Sequence, residues 1–196
     1  MARHSDTRQK MVESAAVLFR ERGVQGTSFS DVLAHSGAPR GSIYHHFRGG
    51  KTQLAEETTQ WAGELILAQT IEALAASDPV AAIASSRRWW TKILRASDYE
   101  AGCVIVAATL EGEREPSVRA VAAEAFTKWE YVLTDALRKH DVPATRARAL
   151  ATLLIAAIEG AVVLSRAQRT TKPLDRVTTE LQRIIGDALD HGPSTT

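Results

Sequence analysis

Apolar residues recur along this chain with a helical period, and no stretch sustains the period of two that marks a strand. Met11, Ala15, Leu18 and Phe19 follow an i, i+4, i+7, i+8 spacing, which predicts a first helix from about Ser5. Gly23 stops it, with Val24 placed to close the cap. Ser28-Phe29-Ser30-Asp31 has the spacing of a capping box and predicts a short second helix that turns Val32 and Leu33 inward and ends at Ser36-Gly37. Pro39, which lacks an N–H that a first turn does not need, predicts the start of a third helix reaching Phe47. Two short helices joined by a tight glycine-containing turn make a helix-turn-helix. Gly49-Gly50 breaks the chain again, and a long helix follows from Lys51 to about Ala76. Proline and glycine positions divide the remainder into helices at Pro79–Arg95, Ala101–Glu113, Pro116–Lys139, Ala144–Thr170 and Pro173–Leu189. The expected fold is therefore all-α with about nine helices: a three-helix N-terminal domain over residues 1–50, then a helical bundle over 51–196. The polar tail Gly192–Thr196 should fray.

Composition narrows the class without naming a function. Hydrophobic residues at 44% and charged residues at 24% are ordinary for a globular chain. The single Cys103 can form no internal bridge and fits a reducing compartment. The opening Met-Ala-Arg-His-Ser-Asp lacks the apolar core of a secretory signal, so the cytoplasm is the expected location. The longest apolar run, Leu150 to Leu164, is shorter than the roughly 18 to 20 residues of a spanning helix and contains Glu159, so it reads as a buried helix. A net charge of +1 says little, but its distribution says more. Residues 1–51 carry eight Lys or Arg against four acids, a net of +4, and the rest of the chain is −3. A basic head on a mildly acidic body suits a protein whose first quarter meets phosphate, although a chance surface fluctuation gives the same numbers.

The chemistry concentrates between Ala38 and Phe47. Ile43 and Phe47, four apart, must face the core, which leaves Arg40, Ser42, Tyr44 and His45 to solvent or a ligand. Arginine can give paired hydrogen bonds to guanine O6 and N7, serine reaches several base edges, and Gly41 allows close approach. Tyr44, His45, His46 and Lys51 are suited to phosphate, which fixes register without reading sequence. A small helical hairpin with a solvated arginine accounts for the same segment.

Thr27-Ser28-Phe29-Ser30-Asp31-Val32 followed by Ser36-Gly37-Ala38-Pro39-Arg40-Gly41-Ser42-Ile43-Tyr44-His45-His46-Phe47 resembles the signature of the TetR family of repressors, over about Thr7 to Leu54. Gly49-Gly50-Lys51 resembles the LmrA/YxaF-like branch in particular, because most TetR relatives have one residue fewer between the aromatic and that lysine. Ala101-Gly102-Cys103 and Glu159-Gly160-Ala161 resemble the same branch more weakly. The resemblance implies that Thr27, Ser28, Arg40, Gly41, Ser42, Tyr44, His45, His46 and Lys51 contact DNA, with Arg40 and Ser42 reading bases and Ser28 both capping and touching phosphate. Pro39 departs from the capping serine of many relatives, and Arg48 stands where this branch often has proline.

Beyond the head, Trp61, Trp89, Trp90, Phe126 and Trp129 are many aromatics for one bundle. With Leu65, Ile93 and Leu110 they can line an apolar cavity or simply fill a core, and the family resemblance implies the cavity. Cys103 reads as a small buried hydrophobe or a neighbour of that cavity. Small residues Ala156, Ala157, Gly160 and Ala161, with Leu164 on the same helix and Leu181, Ile184 and Ile185 on the last, resemble the four-helix dimer interface of such regulators, an intrachain core being the alternative. Two copies also make functional sense, since one short helix reads too few bases while a twofold pair reads both halves of a palindrome.

Catalytic readings fail. Gly50-Lys51-Thr52 looks like the end of a phosphate loop, but its first glycine would fall on His45. No HExxH pattern or nucleophile elbow occurs, and adjacent His45 and His46 should point apart on a helix. The expectation is a non-enzymatic, cofactor-free repressor: a homodimer on a palindromic DNA operator, released by a small hydrophobic or aromatic effector. An activator with the same head, or a helical carrier without DNA binding, are the alternatives.

Overall fold

The computed structural model describes residues 2–110 and 115–190, with side chains from Thr7 onward. Among them are nine helices and no strands: α1 (Ala2–Arg22), α2 (Phe29–Ser36), α3 (Ser42–His46), α4 (Gly50–Ala76), α5 (Pro79–Ala96), α6 (Val104–Leu110), α7 (Pro116–Arg138), α8 (Ala144–Gln168) and α9 (Lys172–Asp190). The tail Gly192–Thr196 lies outside the described residues.

Two compact units emerge, one of residues 1–65 with 102–126, the other of 66–101 with 127–196. The first is thus larger than a head ending at residue 50, because the start of α4, all of α6 and the start of α7 join its core. The α1 stripe of Met11, Ala15, Leu18 and Phe19 is buried as its period requires, together with Val32, Ile43, Phe47, Leu54, Ile105 and Ala108. Leu33 is only half-buried. A capping box opens α2: the Asp31 amide donates to Ser28 Oγ at 3.2 Å, and Asp31 Oδ2 accepts from the Ser28 amide at 2.7 Å. Gly37 closes it at φ 68°, a left-handed conformation in which a side chain is strained. That turn sets the angle between α2 and α3.

Two helix limits differ from the sequence reading for local reasons. The third helix begins at Ser42 and not at Pro39, because Pro39, Arg40 and Gly41 form a turn whose Pro39 carbonyl accepts the Ser42 amide at 2.9 Å. The sixth begins at Val104, since Ala101–Cys103 is held out of helix with the Gly102 amide donating to the Arg20 carbonyl at 2.7 Å. Its far end at Glu113 falls outside the described residues.

In the second unit α9 packs Leu174, Leu181 and Ile185 inward against α5 and α8. Arg87 on α5 donates to Asp175 on α9 at 2.9 Å, and Gln182 donates to the Val80 carbonyl at 3.2 Å. The α8 cap residue Arg169, at φ 49°, pairs with Asp98 and Glu100 beyond α5. By length and composition α8 is the one helix among the described residues that could cross a membrane. It is longer than the apolar run within it, and its Ala151, Leu154 and Ile158 face is buried in the protein's own core.

Candidate nucleic-acid interface

Ile43 and Phe47 are wholly buried and fix α3 against α1, so the opposite edge of the third helix and the turn before it must face outward. Arg40 is exposed, and no hydrogen bond or ion pair holds its guanidinium among the described residues. Gly41 is exposed, with open space where a side chain would lie. Ser42 is half-exposed, and its hydroxyl donates to the Pro39 carbonyl at 2.6 Å. Tyr44 is 68% exposed, its ring edge-on to Phe29 of α2 with centroids 5.6 Å apart. His45 is exposed and His46 half-buried. Adjacent on a helix, they are expected to point apart, but their rings meet edge to face with centroids 5.4 Å apart.

Two flanking residues complete the edge. The Lys51 ammonium, at the start of α4, donates to the Gln25 carbonyl at 3.2 Å, which ties it to the loop before α2. Ser28 is exposed, and its hydroxyl both accepts the Asp31 amide and donates to Asp31 Oδ2 at 2.6 Å. These bonds from Ser28, helped by Arg22 and Lys51, hold the Asp31 carboxyl below its ordinary range. Thr27 is a correction. It is 1% exposed and its hydroxyl donates to the Gly23 carbonyl at 3.0 Å, so its side chain staples the turn and cannot reach DNA.

Supporting residues were not legible in sequence. Arg8 pairs with Glu57 and lies 5.3 Å from the Phe47 ring centroid, bracing α1, α4 and the end of α3 across 49 positions of chain. Only the tertiary fold brings them together.

The second unit holds an apolar cavity of about 380 Å³. Trp89, Trp90 and Trp129 line it, the first two edge-on at 4.7 Å. Trp61, Leu65, Ile93, Cys103, Leu110 and Phe126 do not. Leu110 is 80% exposed, Cys103 is a buried hydrophobe of the first unit, and Trp61, Leu65 and Phe126 also belong to that unit. The wall is completed by aliphatic residues at helical spacing, Ile66 on α4, Leu133 and Leu137 on α7, and Leu154 and Ile158 on α8. Their periodicity is visible in the sequence, but the same period serves a core and a cavity wall alike. The small-residue face also divides. Ala161, Leu181 and Ile185 are at most 3% exposed and belong to the protomer's own core, which corrects their assignment to a dimer interface. Leu153, Val163 and Leu164 are about half exposed on the outer side of α8, with Gly160 exposed among them and Ala157 and Ile184 half-buried.

A helix-turn-helix with a polar, partly cationic outer edge, carried on a helical body, defines a DNA-binding transcriptional regulator. Residues 12–58 match the model for bacterial regulatory proteins of the tetR family, and residues 79–180 match the C-terminal domain of LmrA/YxaF-like transcriptional regulators. The chain is 40% identical to an HTH-type transcriptional regulator of Mycobacterium tuberculosis over 91% of its own length and 93% of the relative's. It is 33% identical to the HTH-type transcriptional regulator LmrA of Bacillus subtilis, covering 87% and 92% of the two chains. Among solved structures, a TetR transcriptional regulator from Chloroflexus aurantiacus superposes with a TM-score of 0.78 at 28% identity, over 95% of this chain and 97% of that one. The chain belongs to the TetR family of transcriptional regulators, with an LmrA/YxaF-like C-terminal domain. These families and relatives are regulators of transcription and not enzymes.

Proposed function

We propose that two copies of this chain bind a palindromic operator through residues 1–50 and the adjoining Lys51, repress transcription in the cytoplasm, and let go when a small hydrophobic or aromatic effector enters the body formed by 51–196. The observation that carries the reading is the outer edge of Arg40, Gly41, Ser42 and Tyr44, left without apolar cover while Ile43 and Phe47 anchor it from behind. Arg40 and Ser42 read bases, while Ser28, Tyr44, His45, His46 and Lys51 hold phosphate. Repression accords with a relative 26% identical, the transcriptional repressor DhaR of a Mycobacterium species.

The cavity supports the effector class. Three indoles and a mostly aliphatic wall favour an apolar ring system, and among the described residues the charged side chain that lines it is Glu72, with no lysine or arginine to hold an acid. Its volume lies at the small end for ligand sites, roughly 300 to 1,000 Å³. Helix α4 supplies the lever. It carries Lys51 in its first turn and continues into the second unit, where its Ile66 lines the cavity. An effector shifts DNA affinity only by as much as it prefers one arrangement of that helix over another.

The test is a gel-shift titration on duplexes selected from a random pool. Arg40→Ala should weaken binding at least tenfold and relax base preference, and wild-type affinity should fall steeply with salt as phosphate contacts release counterions. Unchanged affinity and preference in Arg40→Ala would remove the reading role.

A further inference from the structure

Ser42 is already committed as a donor, and that limits what it can recognise. Its Oγ lies 2.6 Å from the Pro39 carbonyl oxygen, which carries no hydrogen, so the serine hydroxyl must supply the proton. The distance is short for an O–H···O bond. The same carbonyl accepts the Ser42 amide at 2.9 Å, so both bonds close the turn that launches α3. A serine hydroxyl has one proton and two lone pairs. With the proton spent inside the turn, only the lone pairs remain for a partner, and donation to Pro39 polarises the oxygen into a better acceptor. Gly41 beside it offers no side chain to hold a base edge away, and Arg40, two residues before it, can only donate.

We infer that Ser42 reads an exocyclic amino group in the major groove, adenine N6 or cytosine N4, and discriminates against guanine and thymine at that position. In that groove adenine and cytosine present amino donors, whereas guanine O6 and N7 and thymine O4 only accept. Turning the hydroxyl to an accepting edge would break the Pro39 bond to make another, while receiving an amino hydrogen adds a bond and keeps the first. The half-site therefore carries a donor-read position under Arg40 and an acceptor-read position under Ser42. This specificity rests on the reading that the Arg40–Tyr44 edge enters the groove.

The experiment uses the full chain and sites selected from random duplexes by the wild type, Ser42→Ala and Arg40→Ala, each first verified as folded by circular dichroism. One position per half-site should prefer adenine or cytosine with the wild type and lose that preference in Ser42→Ala. Removing the amino group there, with purine in place of adenine or 2-pyrimidinone in place of cytosine, should weaken wild-type binding about tenfold. The same replacement should leave Ser42→Ala unaffected. A Ser42-dependent preference for guanine or thymine would overturn the inference, as would an equal loss in both proteins on amino removal. Altered selection in Arg40→Ala with none in Ser42→Ala would also sink it while leaving the DNA-reading edge in place. No change in either variant would refute the edge itself.

Discussion

The outer face of α8 offers the sharpest quantitative test of the proposed assembly. Leu153, Val163 and Leu164 stand 43%, 52% and 48% exposed on the protomer. Burying the remaining half of such a side chain contributes roughly 1 kcal/mol, half of the 1.5 to 3 kcal/mol for full burial. In a twofold interface every residue counts on both copies, so each position contributes about 2 kcal/mol and the three together about 6 kcal/mol. Leu164→Ala should therefore raise the dimer dissociation constant about 30-fold. The double variant Val163→Glu with Leu164→Glu brings four carboxylates into the contact, where unpaired burial costs several kcal/mol more, and should be monomeric at micromolar concentration. Sedimentation equilibrium measures both. Leu110→Glu is the control, since Leu110 is 80% exposed but lies on α6 in the other compact unit, and association should not change. The monomeric variant should also lose tight operator binding, because one head reads half a site. A double-glutamate protein that remains a dimer with an unaltered dissociation constant would show that this face is not where the copies meet.

Three further outcomes follow from local geometry. The Asp31 carboxyl is held below its ordinary range chiefly by Ser28, so its contribution to stability is complete above about pH 4 and fades as pH falls through the lower folded value; Asp31→Asn should destabilise the protein to urea at pH 7 and less so near pH 3, and a difference independent of pH would refute the linkage. A methyl at Gly63 would sit 2.9 Å from the Ala125 methyl. Overpacking of about 1 to 3 kcal/mol then outweighs the gain in helix propensity of about 1 kcal/mol, so Gly63→Ala should lower Tm, and a raised Tm would deny the close approach of α4 and α7. Ala136→Phe places a ring in the cavity; it should abolish binding of the neutral fluorophore N-phenyl-1-naphthylamine while Tm holds or rises, and undiminished binding would place the apolar site elsewhere.

The reading head was legible because its signals are local. The capping box needs only Ser28 and Asp31 three apart, the turn needs Gly37, and the inward face needs Ile43 and Phe47 four apart. Where a local rule met a competing one, the sequence misled. Pro39 is a good first helical residue, yet its carbonyl is used instead to close a turn onto Ser42, so the helix starts three residues later. Thr27 sits beside an exposed serine in a polar stretch, but the left-handed Gly23 presents a carbonyl that its hydroxyl satisfies from inside.

The body was harder for a physical reason that α8 makes plain. A helix with one apolar stripe declares which way it faces, whereas α8 is apolar on two sides. Ala151, Leu154 and Ile158 are buried, and Leu154 and Ile158 also line the cavity, while Leu153, Val163 and Leu164 lie on the other side of the same helix, open to solvent in the protomer. Period alone cannot divide such residues between a core, a ligand wall and a partner, because each environment selects for the same apolar chemistry. Ala161 and Gly160 are neighbours in sequence, yet the first is buried and the second exposed. The distinction lies in which residues the neighbouring helices cover, a property of packing between helices and not of any one helix by itself. If copies meet on the open apolar face of α8 as proposed, a ligand that shifts the opposite, cavity-lining face should change the dimer dissociation constant, and sedimentation equilibrium with and without N-phenyl-1-naphthylamine measures that coupling.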